Sequence, residues 1–333
     1  MLVVGFRGFT IGPADPIREA LAAGLGGVIL FDRDRVTGTR NIESPQQLAA
    51  LTTSLRAAAP GNLIVAIDQE GGRVARLDVA QGFPATRSQA EIGATDDPDV
   101  ALEAGRAMGA TLAAAGIDLD LAPVVDVNVD PANPAIGALG RSFSADPSIV
   151  AAMAEAEIRG LHEFGIRAAI KHFPGLGSAS ANTDANIVDV TATWTEAELE
   201  PFETLIGAEL PDAIMSAHLL NRRLDPAAPA SLSAATIDGL LRQRLGWTGV
   251  VITDDLDAVA ISTTFERTEA VARAIEAGND LLLFANPGTN VLELIDGLID
   301  SVVRHVASGR ISEARVDQSA ARLDILAAGR AVE

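Results

Sequence analysis

The chain has 333 residues with 25 Lys plus Arg against 45 Asp plus Glu, a formal charge of −20, so its average field repels phosphate backbones and anionic lipid. Nucleic acid is therefore not an expected partner. Hydrophobic residues make up 48 % and charged residues 21 %, the composition of a globular chain whose core needs no disulfide or metal staple.

There is no cysteine, which excludes disulfides, thiol nucleophiles and cysteine-ligated metals together, and only four histidines occur: His162, His172, His218 and His305. The first residues, Met1-Leu2-Val3-Val4-Gly5-Phe6-Arg7, have no basic segment before their apolar stretch and no small-residue cleavage site. No run approaches the roughly 18 apolar residues of a membrane span. A cytoplasmic protein without membrane insertion is expected.

In chain order, apolar runs of strand length fall at residues 2–6, 27–31, 63–68, 119–126, 166–172, 213–218, 250–255 and 281–285. Between them lie segments with helical periodicity and capping chemistry. Ser44-Pro45 opens 46–58, Asp146-Pro147 opens 149–164 and Ser233 opens 234–245. Eight strand-and-helix units without a compositional break predict an α/β fold, a single-domain (β/α)8 barrel over 1–333, with an appended helix at 312–328. An open doubly wound sheet is the runner-up, but Gly5-Phe6-Arg7-Gly8 does not supply its Gly-x-Gly-x-x-Gly phosphate turn. Two connections of about 20 residues, 127–144 and 174–193, are long enough to be functional loops.

A barrel collects its chemistry at the C-terminal ends of its strands. Those ends carry Asp68-Gln69-Glu70-Gly71-Gly72-Arg73, Asp126, Lys171-His172, His218 and Asp254-Asp255. A single Asp at such a position is more often a helix cap, and a single His more often a satisfied core residue. Five strands delivering such residues to one mouth point instead to a site. No His-x-His or His-Glu-x-x-His occurs, so neither a metal nor another cofactor is expected. Asn286-Pro287-Gly288 is a weak phosphate-turn candidate against the large negative charge. Carboxylates, arginines, a lysine and histidines around a mouth suit a polyhydroxylated neutral ligand, and paired carboxylates there suggest glycoside hydrolysis.

Seven motifs carry a family resemblance: Gly26-Gly27-Val28-Ile29-Leu30-Phe31, Asn41-Ile42-Glu43-Ser44-Pro45, Ile67-Asp68-Gln69-Glu70-Gly71-Gly72-Arg73-Val74, Ala122-Pro123-Val124-Val125-Asp126-Val127, Gly140-Arg141-Ser142-Phe143, Lys171-His172-Phe173-Pro174-Gly175 and Gly249-Val250-Val251-Ile252-Thr253-Asp254-Asp255-Leu256. In this order they resemble glycoside hydrolase family 3, in particular its single-domain β-N-acetylhexosaminidases. The resemblance implies a barrel and a retaining, cofactor-free mechanism. Its substrate would be a small carbohydrate ending in β-linked N-acetylglucosamine, as an oligosaccharide or muropeptide. By position, Asp254 corresponds to the nucleophile. Asp68, Arg76, Arg141, Lys171 and His172 correspond to the residues holding the hydroxyls and acetamido group of the terminal sugar. For Arg76 and Arg141 a loop-bracing ion pair is the plain alternative, and His218 is expected to act as a structural or supporting residue. Oligomeric state is not fixed by the sequence.

One stretch departs from the pattern. The family branch carries Asp-Ser-His after the fifth strand, its His being the general acid/base, where this chain reads Asn182-Thr183-Asp184; Leu176 likewise stands where the family has His. Three readings follow: Asp184 serves as a carboxylate acid/base, the acid comes from elsewhere, or the barrel binds sugar with little turnover. The first is preferred because carboxylates are the usual acid/base of retaining glycosidases. Asn-Thr-Asp bracing a turn is the plain reading. A β-glucosidase-type hydrolase of the same family is a further alternative.

Overall fold

Val/Ile/Leu-rich runs without polar alternation must bury both faces, and a parallel sheet wrapped in helices does this. In the computed structural model, which describes residues 1–34, 38–286 and 291–329, these runs form eight parallel strands. They are Leu2–Gly5, Gly27–Leu30, Ile64–Ile67, Leu119–Asp120, Arg167–Phe173, Ala213–Ser216, Val250–Thr253 and Leu282–Phe284, called first to eighth below. Neighbours in sequence are neighbours in the sheet, and the first strand also pairs with the eighth. The seam between seventh and eighth closes through the Ile252–Leu281 bridge, where Leu281 N–H reaches Val251 O at 3.1 Å and Thr253 N–H reaches Leu281 O at 2.9 Å. The sheet has no free edge. The fold is the expected (β/α)8 barrel, and the open-sheet alternative falls.

The predicted strand at 119–126 differs in one respect. Ladder pairing stops at Asp120, and the chain continues beside the fifth strand through single contacts such as Val125 N–H to Lys171 O at 2.8 Å. Pro123 has no N–H to give to a ladder, which accounts for the early end. Two of the predicted helices form as their caps require. Pro45–Ala58 starts on Ser44, whose hydroxyl accepts Gln47 N–H at 3.2 Å, and Pro147–His162 starts on Asp146, which accepts Ser148 N–H at 2.9 Å. The helix predicted at 234–245 is Ala235–Arg244, wound wider than an α-helix; its end is marked by Leu245 N–H to Leu240 O at 3.0 Å.

Inside the barrel, Val3, Ile64, Ala66, Ala213, Met215 and Val250 belong to one buried cluster. The appended helix, Glu313–Ala328, adds Leu326 to that cluster at its strand-entry end. Arg315 and Arg322 each reach Asp280 at 3.1 Å at the entry to the eighth strand, and Arg167 Nη2 donates to Ala327 O at 2.9 Å at the entry to the fifth. This helix is the floor of the barrel, so the opposite end is the open one.

Helix Pro147–His162 packs closely on Pro98–Ala114, because a Cβ at Gly105 would lie 2.2 Å from Glu157 O and one at Gly160 would lie 2.5 Å from Leu102 O. The contact buries Glu157 completely, with neither carboxyl oxygen hydrogen-bonded. Burial, with the Glu70 carboxylate adding to it, pushes its pKa up to about 8. The folded state therefore keeps a proton that the unfolded chain releases near 4.5. Stability from this group is complete below the unfolded value and drains away as pH rises toward about 8. Glu157→Gln keeps the shape without the ionisation. Its Tm is expected to match the parent near the unfolded pKa and to exceed it by several degrees above the folded one; a pH-independent difference would contradict this account.

Candidate active site

Lys171 sits near the end of the fifth strand with its side chain 2 % exposed, and its ammonium lies 2.7 Å from Asp68 Oδ1 and 2.6 Å from Glu70 Oε1. Both acids leave the third strand in one short segment, so a single cation holds them together. Arg141, from the long loop after the fourth strand, grips Glu70 with both ends of its fork, Nε to Oε2 and Nη2 to Oε1, each at 2.7 Å. Arg76 Nη2 reaches Asp68 Oδ2 at 3.3 Å, while its guanidinium lies 5.1 Å from the centre of the Phe31 ring. Burial alone would raise both acids, but Lys171 and Arg76 hold Asp68 far below the usual carboxylate range, and Arg141 and Lys171 hold Glu70 at about 2. For Lys171, burial pulls down and the two carboxylates pull up harder, so its pKa rises. Every member of this network is charged at neutral pH.

His172 follows directly. Its Nδ1 lies 2.6 Å from Asp126 Oδ2, and Asp126 Oδ1 accepts the backbone N–H groups of His172 at 3.2 Å and Leu176 at 2.7 Å. Arg141 Nη2 approaches His172 Nε2 at 3.3 Å. A guanidinium can only donate, so Nε2 accepts and Nδ1 carries the proton toward Asp126. The ring is thereby fixed in one tautomer beside the Lys171 network.

Asp254 leaves the seventh strand half-buried, its N–H bonded to Ser216 O at 3.0 Å and its Oδ1 accepting Asp255 N–H at 2.8 Å. The neighbouring Asp255 braces the turn, its carboxylate accepting Ala285 N–H at 3.0 Å and Asp257 N–H at 3.1 Å. Burial pushes Asp255 up to about 7 against those two bonds. Neither caps the next helix, Val259–Ser262, whose N-cap is Ala258 without a side-chain bond; Asp255 braces the turn before it. His218 is fully buried; its Nε2 lies 2.9 Å from the Asp255 carbonyl, an obligate acceptor, and its Nδ1 lies 2.7 Å from Ser231 Oγ. It supports the turn from below, as its expected structural part requires.

Asp184 lies on the loop after the fifth strand. Its N–H bonds to Asn182 Oδ1 at 2.9 Å, so the turn-bracing geometry is present, but its carbonyl also accepts Ala260 N–H at 3.1 Å from helix Val259–Ser262 beyond Asp254. That contact docks the loop onto the nucleophile candidate's own loop. The residue is exposed at the rim, yet burial of its carboxyl and then the Asp254 charge raise its pKa, against His172, Arg141 and His218. The groups acting on it are those of the mouth.

The structure thus joins Asp68, Arg76, Arg141, Lys171 and His172 in one continuous network, with Asp254 and Asp184 on adjoining loops. Two residues that the strand-end motifs contained but to which sequence reasoning gave no role are central: Glu70, which ties Lys171 to Arg141, and Asp126, which orients His172. Of the phosphate-turn candidate, Pro287 and Gly288 lie outside the described residues, and Asn286 Oδ1 accepts from Arg40 Nη1 at 2.7 Å. No cluster able to hold a metal and no helix long and apolar enough to cross a membrane occurs among the described residues.

A family model described as the glycosyl hydrolase family 3 N terminal domain matches residues 9–326. The chain belongs to glycosyl hydrolase family 3. A family 3 relative named beta-hexosaminidase from Xylella fastidiosa (strain M23) is 37 % identical over 311 residues, covering 91 % of this chain and 87 % of its own. A family 3 beta-N-acetylglucosaminidase structure from Paenibacillus sp. str. FPU-7 superposes with a TM-score of 0.89 at 36 % identity, covering 98 % of this chain; the match spans 60 % of the Paenibacillus chain. The beta-N-acetylhexosaminidase structure from Beutenbergia cavernae DSM 12333 gives 0.87 at 32 % identity and covers 98 % of this chain and 96 % of its own.

Glu70 offers a direct test of this family 3 network. Glu70→Ala leaves Lys171 and Arg141 buried without their shared carboxylate, and losing one partner of a buried ion pair costs about 3–5 kcal/mol. Chemical denaturation should show that loss. A change below about 1 kcal/mol, the size of a surface ion pair, would mean that the network does not hold the mouth together.

Proposed function

We propose that the protein is a retaining exo-β-N-acetylhexosaminidase that releases terminal β-linked N-acetylglucosamine through a covalent glycosyl-enzyme intermediate on Asp254. The observation that carries this reading is the docking of the Asp184 loop onto the loop that follows Asp254, with Ala260 N–H bonded to the Asp184 carbonyl at 3.1 Å, beside a fixed network of hydrogen-bonding groups. The activity printed in the names of the family 3 relatives agrees with it. A floored barrel offers one blind mouth, which suits cleavage at a chain end. Its substrate class is a small N-acetylglucosamine-containing oligosaccharide or muropeptide.

In the first step the Asp254 carboxylate attacks the anomeric carbon as the glycosidic bond breaks, and Asp184 gives its proton to the departing oxygen. In the second, Asp184, now ionised, takes a proton from water, whose oxygen attacks the same carbon and frees Asp254. Inversion occurs twice, so configuration is retained. Asp68, Lys171, Arg141, Arg76 and His172 would bind the terminal sugar through charge-assisted hydrogen bonds, which are stronger than neutral ones. Retention through these two groups calls for a carboxyl separation of about 5–5.5 Å in the closed complex.

Asp254→Asn should fold and bind sugar while kcat falls by several orders of magnitude, and a 2-fluoro-glycoside should label Asp254 in the parent. Labelling at another residue removes Asp254 from the role. Asp184→Ala should lose far more rate on substrates with poor leaving groups than on activated aryl glycosides, and azide should restore the slow deglycosylation step. An alanine variant that loses both equally without azide rescue, or loses neither, rules Asp184 out. A panel of aryl N-acetylglucosaminide, glucoside and xyloside substrates tests the activity as a whole: no turnover of any, with a sugar still raising Tm, would leave only a binding protein, and preference for the glucoside would move the reading to a β-glucosidase.

A further inference from the structure

The loop that carries Asp184 is anchored far from its tip. Where it leaves the fifth strand, Asp126 takes the N–H of Leu176, and Asn133 Nδ2 donates to Leu176 O at 2.7 Å. From the other side comes Glu198, in the short helical turn Glu196–Leu199 that follows the loop. Its carboxylate is fully buried and Oε2 accepts Ser178 N–H at 3.2 Å, while Oε1 and Ser178 Oγ have no partner. The backbone approaches so closely that a Cβ at Gly175, whose φ is +114°, would lie 2.6 Å from Glu198 Cβ. Nearby, Trp194 Nε1 donates to Pro174 O at 2.9 Å.

We propose that Glu198 is a positioning residue for the reaction: its carboxylate grips the base of the loop at Ser178 and so holds Asp184 over the mouth. The inference rests on the reading of Asp184 as acid/base. An apolar side chain would fill this buried position without the penalty that an acid incurs. Burial, opposed by the Ser178 contact and reinforced by Asp126, pushes the Glu198 carboxyl up to about 7. Arg223 and Arg244, on flanking segments, are engaged elsewhere, with the Trp194 carbonyl and Glu196. A group kept at such a cost against one loop has a task at that loop. The loop beyond it, 179–187, is then held at its far end by the Asp184 carbonyl and Ala260.

The test uses Glu198→Gln, which keeps shape but cannot ionise, and Glu198→Ala, with hydrogen–deuterium exchange over residues 176–186 and rates on two classes of aryl glycoside. Both variants should exchange those amides at least about tenfold faster. Rates on poor leaving groups should fall about tenfold, more for Ala than for Gln, while activated glycosides stay within about twofold. If Ala fails to fold, the isosteric Gln variant decides. Unchanged exchange, or equal loss on both substrate classes, overturns the proposal. If Asp184→Ala shows no leaving-group dependence while the Glu198 variants still loosen the loop, the acid/base assignment falls and the anchor stands.

Discussion

Removing an ammonium from water costs several kcal/mol even after relaxation, and Lys171 is almost wholly buried at the barrel mouth. What makes it tolerable is placement between two carboxylates, at 2.7 and 2.6 Å, one of which is gripped in turn by Arg141. That arrangement fixes the ends of the third and fifth strands and the loop after the fourth relative to one another. It also sets the charge balance of the site. Lys171, Arg76 and Arg141 face the carboxylates of Asp68 and Glu70 within it, and Asp126 lies against His172.

The barrel supplies the rest by geometry. Parallel strands end on the same side, so residues at their C-termini converge although they are far apart in sequence: Lys171 is 103 positions from Asp68. The appended helix closes the other end, and His218 and Asp255 stiffen the turn under Asp254 by hydrogen bonds to backbone. Rigid elements thus carry the nucleophile candidate and the network of Asp68, Glu70, Arg141 and Lys171, while the acid/base candidate rides on a loop tethered at its base and tip. This division suits a reaction in which a leaving group must depart past the proton donor.

The strands were legible because each is a short, mostly apolar run, five of the eight ending in polar residues, a pattern that a doubly covered parallel sheet explains. The site was legible to the extent that strand ends are. Glu70 and Asp126 stood in the same motifs as their partners, but a carboxylate that orients another residue looks, in sequence, like one that touches substrate. Glu157 and Glu198 gave no signal at all, because a glutamate in a helical segment reads as exposed; only the packing of Gly105 and Gly175 against them shows their burial. Likewise, nothing in the periodicity of 312–328 says that Leu326 is the floor of the barrel. At Asn182-Thr183-Asp184 the turn-bracing bond of the plain reading is present, and the charges that act on the Asp184 carboxyl are those of Asp254, His172, Arg141 and His218.

Replacing an imidazole by a carboxyl at position 184 changes how the proton is managed in the proposed cycle. Two carboxyls near each other cannot both ionise cheaply, so in the resting enzyme the charge on Asp254 helps Asp184 keep its proton, the state a general acid needs. Glycosylation consumes that charge, because Asp254 becomes a neutral ester. The part of the raising influence that comes from Asp254 then disappears just as Asp184 has given up its proton, while burial remains and Arg141 still acts to lower its pKa. The ionised form is easier to reach at the moment a general base is required than in the resting enzyme. An imidazolium would respond in the same sense: losing a stabilising negative neighbour when Asp254 is esterified lowers its pKa too, so it also releases its proton more readily. Either residue can therefore serve beside the proposed nucleophile, and the substitution preserves the logic of acid followed by base while lowering by one unit, at each stage, the charge that the loop carries into the mouth.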